Sequence, residues 1–206
     1  MILHKHFLQN GQITNTVATV PNYFNKKQRD TTLFVYKVAL IKSVELVNES
    51  TAVIIEYKRE YPSSLKEGDK IVVIDFGGGT LDIACCRIIH GNNVKVYSSG
   101  DDQDLGNNYY DYGIAPTVIR KGLEEECKKK ENVQLVLFLD GTCKIQRNIE
   151  GIVNLFDIQT FADKNFNHLT VVAKGAAYLV YLKQEIALIK EVVYDIIPLP
   201  IGIELE

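Results

Sequence analysis

The sequence lacks the features that would place it outside the ordinary globular proteins. It has no tryptophan, one methionine and five prolines among 206 residues, so it is not a proline-rich or low-complexity chain. Charged residues make up 24% and hydrophobic residues 46%, which excludes an acidic disordered tail. The formal net charge is -3, and such a chain lacks the positive field that attracts nucleic acids. We therefore expect a folded protein without a nucleic-acid partner.

Long hydrophobic runs are also absent. The strongest apolar stretch, residues 71–86, is interrupted by Asp75 and Asp82, and no stretch approaches the roughly 20 apolar residues that a membrane-spanning helix needs. The first eight residues are too interrupted by polar ones to form a signal peptide. These absences predict a cytoplasmic protein without a membrane partner.

The four cysteines form no metal-binding pattern. Cys85 and Cys86 are adjacent, the other two are isolated, and no CxxC pair exists, so the sequence predicts no zinc site. Neighbouring residues of a strand point to opposite faces. We therefore interpret Cys85 and Cys86 as small apolar residues of a strand.

Strand-like and helix-like segments alternate along the chain, which predicts an α/β fold. Asn25 is a suitable N-cap for the first helix. Strands are expected at residues 16–20, 44–47, 70–75, 81–89, 94–98 and 134–139, and helices at residues 25–41, 48–59, 107–131, 145–155 and 170–190, with an extended segment at residues 192–204.

One segment carries recognisable chemistry, residues 71–82, IVVIDFGGGTLD. An apolar strand places Asp75 at its end, and three glycines follow, so backbone N–H groups can approach an anion without obstruction by a Cβ atom. Asp75 and Asp82 add carboxylate oxygens, which suit Mg²⁺ directly or through its waters. The pattern predicts a site for phosphate and magnesium, and a plain strand–turn–strand hairpin is the alternative. The GxGxxG and GxxxxGK[ST] motifs are absent, so their mechanisms do not apply.

This segment and several others resemble the nucleotide-binding domain of the heat shock protein 70 chaperones, within the actin-like ATPase superfamily. Residues 20–25 (VPNYFN) resemble the family's VPAYFN, residues 48–52 (NESTA) its NEPTA, and residues 73–82 its second phosphate loop. The resemblance implies an actin-like ATPase (ribonuclease H-like) fold. The other similar segments are residues 100–111 (GDTHLGGEDFD in the family), 136–145 (VLVGGSTRI), 172–177 (VAYGAA) and 195–204 (DVTPLSLGIE).

The resemblance also implies roles for the matching residues, with ATP or ADP, Mg²⁺ and K⁺ as cofactors. Glu49 would hold a magnesium-bound water or help to activate the attacking water. Asp75 would order the magnesium shell and the nucleophile, and Asp82 would help to coordinate a cation. Thr80 would bond near the γ-phosphate. The implied nucleotide contacts are Gly77, Gly78, Gly79, Gly141 and Lys144, and the implied residues for coupling to a partner domain are Pro21 and Arg29.

Several departures from the family pattern predict an incomplete fold and impaired ATP hydrolysis. The chain begins too late to contain the first phosphate loop, and most of the helical subdomain that clamps adenosine is absent between Asp111 and Val136. Asp140 replaces a phosphate-side glycine, Lys144 replaces an arginine that stacks on adenine, and Ser50 replaces a proline. We expect a partial first lobe at residues 1–60, a reduced second lobe at residues 61–190 and a linker-like tail at residues 191–206.

Three functions agree with this pattern. The first is an ATP-binding chaperone ATPase domain, which in the family couples ATP hydrolysis to protein folding. The second is a non-catalytic pseudo-ATPase that docks co-chaperones or a full-length chaperone relative. The third is a truncated gene product without an independent role.

Overall fold

The computed structural model describes residues 15–41, 44–76, 81–90, 93–102, 133–139 and 170–185. None of the helices in these ranges is long and apolar enough to cross a membrane. The predicted segments at residues 107–131, 145–155 and 192–204 lie outside the described residues. The described strands are β1 (Thr16–Val20), β2 (Val44–Asn48), β3 (Lys70–Phe76), β4 (Leu81–Ile89), β5 (Asn93–Asp102) and β6 (Val133–Leu139), and the described helices are α1 (Lys26–Val38), α2 (Glu49–Glu60) and α3 (Val171–Glu185).

The strands form two sheets, and their alternation with helices confirms the predicted α/β class. β1 and β2 pair in parallel, and the second sheet has the order β5-β4-β3-β6. In that sheet β3 and β4 form an antiparallel hairpin and β6 lies parallel to β3. The hairpin register sets Asp75 directly opposite Asp82, next to the glycine-rich connection that follows β3 in the sequence.

Helix α2 is the centre of the described core. All residues from Ser50 to Tyr57 are buried, as expected of a helix that has apolar neighbours on every side. Val53 and Ile54 belong to the apolar cluster of the four-stranded sheet, whereas Ile55 packs with Val47 and residues of β1 and α3. The first residue of α2, Glu49, is therefore held at a fixed place relative to both sheets.

Helix α3 crosses α2 at very short range. Gly175 lies against the backbone of Ala52, so closely that a Cβ atom on Gly175 would overlap the carbonyl oxygen. Beside this contact, Arg59 donates from Nε and Nη2 to the two oxygens of the buried Glu56, each at 2.7 Å. The Arg59 guanidinium also lies 5.9 Å from the ring centre of Tyr178 on α3. Close backbone approach and this charged group together fix α3 on α2.

Helix α1 is held mainly by polar contacts. Its predicted N-cap is confirmed, because Asn25 accepts from the Gln28 backbone and the Gln28 side chain accepts from the Asn25 backbone, which is a capping box. The buried residue of this helix is Arg29, whereas Phe34 and Val38 are 63% and 64% exposed. The described part of the chain thus anchors α1 by its cap and by one arginine.

The two adjacent cysteines of β4 differ in state. Cys86 is a buried residue outside any disulfide, as the sequence suggested. Cys85 is buried and disulfide-bonded. Burial in β4 confirms the interpretation of Cys85 as a core residue of a strand. Its disulfide was not predicted, because strand periodicity reports burial and carries no information about cysteine pairing.

Candidate functional site

Three carboxylates from three elements converge on one region of the structure. Asp75 lies near the end of β3 and Asp82 near the start of β4, as direct cross-strand neighbours, and such neighbours project from the same face of a hairpin. Glu49, the first residue of α2, interacts electrostatically with both aspartates. Since Asp82 is only 7% exposed, water screens the group poorly. The structure therefore brings together three of the residues that the sequence predicted for a magnesium site.

The environment of Glu49 disfavours its ionised form. Burial, followed by the nearby charges of Asp75 and Asp82, raises the pKa of Glu49 from its usual 4.5 to about 7. Like charges placed directly opposite each other on a hairpin are also destabilising. The cluster thus favours a proton or a cation near Glu49 at neutral pH.

The donor set fits a hydrated magnesium ion. In the part of the chain that the structure describes, no group of three or more His, Cys, Asp or Glu side chains is arranged to hold a metal ion. Magnesium usually keeps several of its waters and takes only one or two protein carboxylates. Glu49, Asp75 and Asp82 would therefore hold Mg²⁺ largely through its water ligands.

A second group of polar residues lies directly behind Asp82. The Asn22 backbone N–H donates to Asp82 Oδ2 at 3.0 Å, and Asn22 Nδ2 donates to Asp82 Oδ1 at 3.5 Å. Ser50 Oγ in turn donates to Asn22 Oδ1 at 2.8 Å. Neither Asn22 nor Ser50 is among the site residues predicted from the sequence. The sequence feature that could have identified them is that each is polar at a position where the family motif has alanine or proline.

Arg29 connects α1 to the residue that precedes Glu49. Its Nε donates to the Phe24 carbonyl oxygen at 2.8 Å, its Nη2 donates to Asn48 Oδ1, and the residue is 6% exposed. Asn48 occupies the N-cap position of α2 but makes no side-chain capping bond, since its oxygen accepts from Arg29. Pro21, half-buried, precedes Asn22 in the same turn. The role of Pro21 and Arg29 in coupling to a partner domain stays a prediction.

Arg29→Lys should lower the free energy of unfolding by about 1–3 kcal/mol, as expected when buried hydrogen bonds to a charged group are lost. A lysine ammonium lacks the planar fork of donors that reaches Phe24 and Asn48 together. Urea unfolding of the variant and the parent measures the difference. Lys27→Arg, at an exposed position of the same helix, is the control, and equal stability of Arg29→Lys and the parent would contradict the inferred contacts.

The remaining predicted site residues have no described placement. They are Gly77, Gly78, Gly79, Thr80, Gly141 and Lys144, all of which lie outside the described residues. Their phosphate and adenine contacts therefore stay predictions from the resemblance.

The fold and the carboxylate cluster together indicate a general class of protein. An α/β chain with mixed sheets and acidic residues around a glycine-rich hairpin is compatible with part of an actin-like ATPase domain. A family model described as "Hsp70 protein" matches residues 4–121, more than half of the chain. This chain belongs to the Hsp70 family.

Curated relatives agree with this membership. A "Chaperone protein HscA homolog" from Histophilus somni (strain 2336) is 36% identical over 126 residues, which are 61% of this chain and 20% of the relative. A "Chaperone protein dnaK" from Phaeodactylum tricornutum (strain CCAP 1055/1) is 32% identical over 125 residues, which are 60% of this chain and 19% of the relative. The match thus spans about one fifth of the length of each relative.

Proposed function

We propose that this chain acts as a nucleotide-binding part of an Hsp70-type chaperone ATPase and binds ATP or ADP together with Mg²⁺. The observation that carries the proposal is the convergence of Glu49, Asp75 and Asp82 at the glycine-rich hairpin. Membership of the Hsp70 family supports nucleotide and Mg²⁺ binding in general, and two of the matched relatives are named as chaperones. Co-chaperones or a full-length chaperone relative are the protein partners that this proposal implies, in the cytoplasm.

The three carboxylates would divide two tasks. Bound Mg²⁺ would supply positive charge to neutralise the phosphates. Asp75 and Asp82 would accept hydrogen bonds from the waters of that ion and so orient it against the hairpin. Glu49 would accept a hydrogen bond or a proton from a nearby water, which is the task of a general base.

We further propose that this chain binds nucleotide but hydrolyses it slowly. Asp140 stands where the family has a phosphate-side glycine, and its carboxylate would repel the nucleotide phosphates. Lys144 has no planar face on which adenine could stack. Because loss of one electrostatic group typically costs about 10²–10³ in rate, binding without turnover, as in a pseudo-ATPase, is the second candidate function.

Thermal unfolding with and without Mg-ATP tests the binding site. Ligand at about 100 times its Kd adds about 2.7 kcal/mol of stability, which for a chain of this size raises Tm by roughly 5–10 °C. In Asp75→Asn the shift should be much smaller, because one of the oxygens that orient the ion and its waters becomes an amide.

The control variant is Asp30→Asn, which removes the same charge from an exposed position on α1. It should keep the full shift with Mg-ATP, and EDTA should abolish the shift in all three proteins. A parent that melts cooperatively without any shift would refute the nucleotide site. A shift that persists in Asp75→Asn would refute the placement of the ion at the hairpin.

A further inference from the structure

We propose that Asn22 and Ser50 are positioning residues that hold the Asp82 carboxylate in one orientation toward the cation site. They form a chain of hydrogen bonds, here called the Asn22 relay, that runs from Ser50 Oγ to Asn22 and from Asn22 to both oxygens of Asp82. This inference rests on the proposed function, since it assigns a task to two further residues of the same site. Neither residue is expected to touch the nucleotide.

The chemistry of the three side chains permits one arrangement. An ionised carboxylate only accepts hydrogen bonds, so Asn22 must direct its Nδ2 toward Asp82. Its Oδ1 then faces Ser50, and the Ser50 hydroxyl must donate to it, at 2.8 Å. The Ser50 hydroxyl therefore determines which end of the Asn22 amide meets Asp82.

Burial makes the relay rigid. Asn22 is 3% exposed, Ser50 2% and Asp82 7%, so water has little access to replace any of these bonds. A buried polar group that loses its partner retains the full cost of desolvation. The three residues therefore stabilise one another's orientation, and a change at Ser50 is transmitted to Asp82 through Asn22.

The relay connects the two sheets at the carboxylate cluster. Asn22 follows β1 of the two-stranded sheet, Asp82 lies on β4 of the four-stranded sheet, and Ser50 is the residue after Glu49 in α2. Glu49 and Asp82 come from separate elements, and a hydrogen-bonded cross-link between those elements restricts the orientation of the Asp82 carboxylate relative to Glu49 beyond what the packing of α2 does. The Asn22 relay is such a cross-link.

The relay is also particular to this sequence. The family motif VPAYFN has alanine at the position of Asn22, and NEPTA has proline at the position of Ser50. An alanine at position 22 would keep the backbone bond to Asp82 Oδ2 but could make neither side-chain bond, and a proline at position 50 has no hydroxyl to donate. Both positions are polar in this chain, and the two side chains are hydrogen-bonded to each other. The two differences from the family motifs therefore depend on each other.

The test is the Mg²⁺ concentration needed for half-maximal ADP binding. Asn22→Ala removes the side-chain bond to Asp82 Oδ1 and keeps the backbone bond to Oδ2. It should raise that concentration roughly 3- to 10-fold, the range expected for loss of one ordinary hydrogen bond. Ser50→Ala should raise the required Mg²⁺ concentration by a smaller factor. Ser50→Thr should leave it at the parent's value, because threonine keeps the hydroxyl. The double variant should be no worse than Asn22→Ala, since Ser50 acts through Asn22.

Two results would overturn the relay. One is an unchanged Mg²⁺ requirement in Asn22→Ala. The other is a loss of ADP affinity in EDTA equal to the loss in Mg²⁺, because a purely structural role lowers both together. If Asn22→Ala does not fold, Ser50→Ala removes a single oxygen and answers the same question.

A measurement without nucleotide separates this inference from the proposed function. In EDTA, the unfolding free energies of Asn22→Ala, Ser50→Ala and the double variant form a double-mutant cycle. Additive effects would refute the hydrogen-bonded relay whatever the chain binds. If the effects are non-additive but the parent shows no Mg-dependent ADP binding, the hydrogen bonds of the relay are supported and the proposed function is refuted. The relay would then have no role in cation binding.

Discussion

Gly175→Ala is expected to lower the free energy of unfolding by about 2–3 kcal/mol or more, as overpacking of a tight contact does. A Cβ atom at this position would overlap the carbonyl oxygen of Ala52 and lie 2.6 Å from its carbonyl carbon and 3.1 Å from its Cα. These are backbone atoms, so no side-chain rotation relieves the overlap. The two helices would have to separate.

Separation is costly because α2 has no free space behind it. The residues on its other faces, Val53, Ile54 and Ile55, are buried against the two sheets. Moving α3 instead would pull Leu179 away from Val47 and Ile55. The better helix propensity of alanine returns only about 1 kcal/mol, which is less than the expected loss.

Urea unfolding of Gly175→Ala against the parent measures this effect. Ala173→Gly, at an exposed position of the same helix, is the matched control and should cost about 1 kcal/mol through propensity alone. Adding Ala52→Gly to Gly175→Ala should not restore stability, because the overlap is with the carbonyl group. A stable Gly175→Ala variant would contradict the close crossing of α2 and α3.

The elements that sequence predicted best are those fixed by local interactions. The Asn25 cap and the start of α1 follow from a capping box within four residues. The β3–β4 hairpin follows from two apolar runs around three glycines. The end of β5 was missed, because its last residues, Ser99 to Asp102, have no strand-like pattern and depend on pairing with β4.

The candidate site likewise has parts that the sequence predicts and parts that depend on the folded chain. The resemblance singled out Glu49, Asp75 and Asp82, and the structure brings them together, while their catalytic and metal roles stay predictions. Without the resemblance, Arg29 would be interpreted as a surface cation of a helix; it is buried because Phe24 and Asn48 provide acceptors that only the folded chain places there. A substitution pattern also cannot show that two side chains touch, so the bond between Asn22 and Ser50 was visible only in the fold.

The second large effect is expected at Glu49, in buffer without Mg²⁺ and nucleotide. The folded chain raises the pKa of Glu49 from 4.5 to about 7, so between these pH values the folded state binds more protons than the unfolded state. Stability then falls as pH rises through this window. Glu49→Gln should therefore match the parent near pH 4.5 and exceed it at pH 8, by on the order of 2 kcal/mol.

Denaturant unfolding at pH 4.5, 6 and 8 measures the difference between the two proteins. Glu45→Gln removes a glutamate from an exposed position on β2 and is the charge-matched control. Its profile should run parallel to that of the parent. Parallel profiles for Glu49→Gln as well would mean that neither burial nor the charges of Asp75 and Asp82 raise the pKa of Glu49 in the folded chain.

Adding Mg-ADP should reverse the ranking of the same two proteins. A cation near the cluster removes the repulsion that weakens the parent, so the parent should gain stability, whereas Glu49→Gln should gain less because one of the oxygens that interact with the ion has become an amide. A residue that lowers the stability of the free protein and raises that of the liganded protein serves binding rather than folding. If Glu49→Gln gained as much from Mg-ADP as the parent, the carboxylate of Glu49 would have no part in the site, and its raised pKa would be only a consequence of burial.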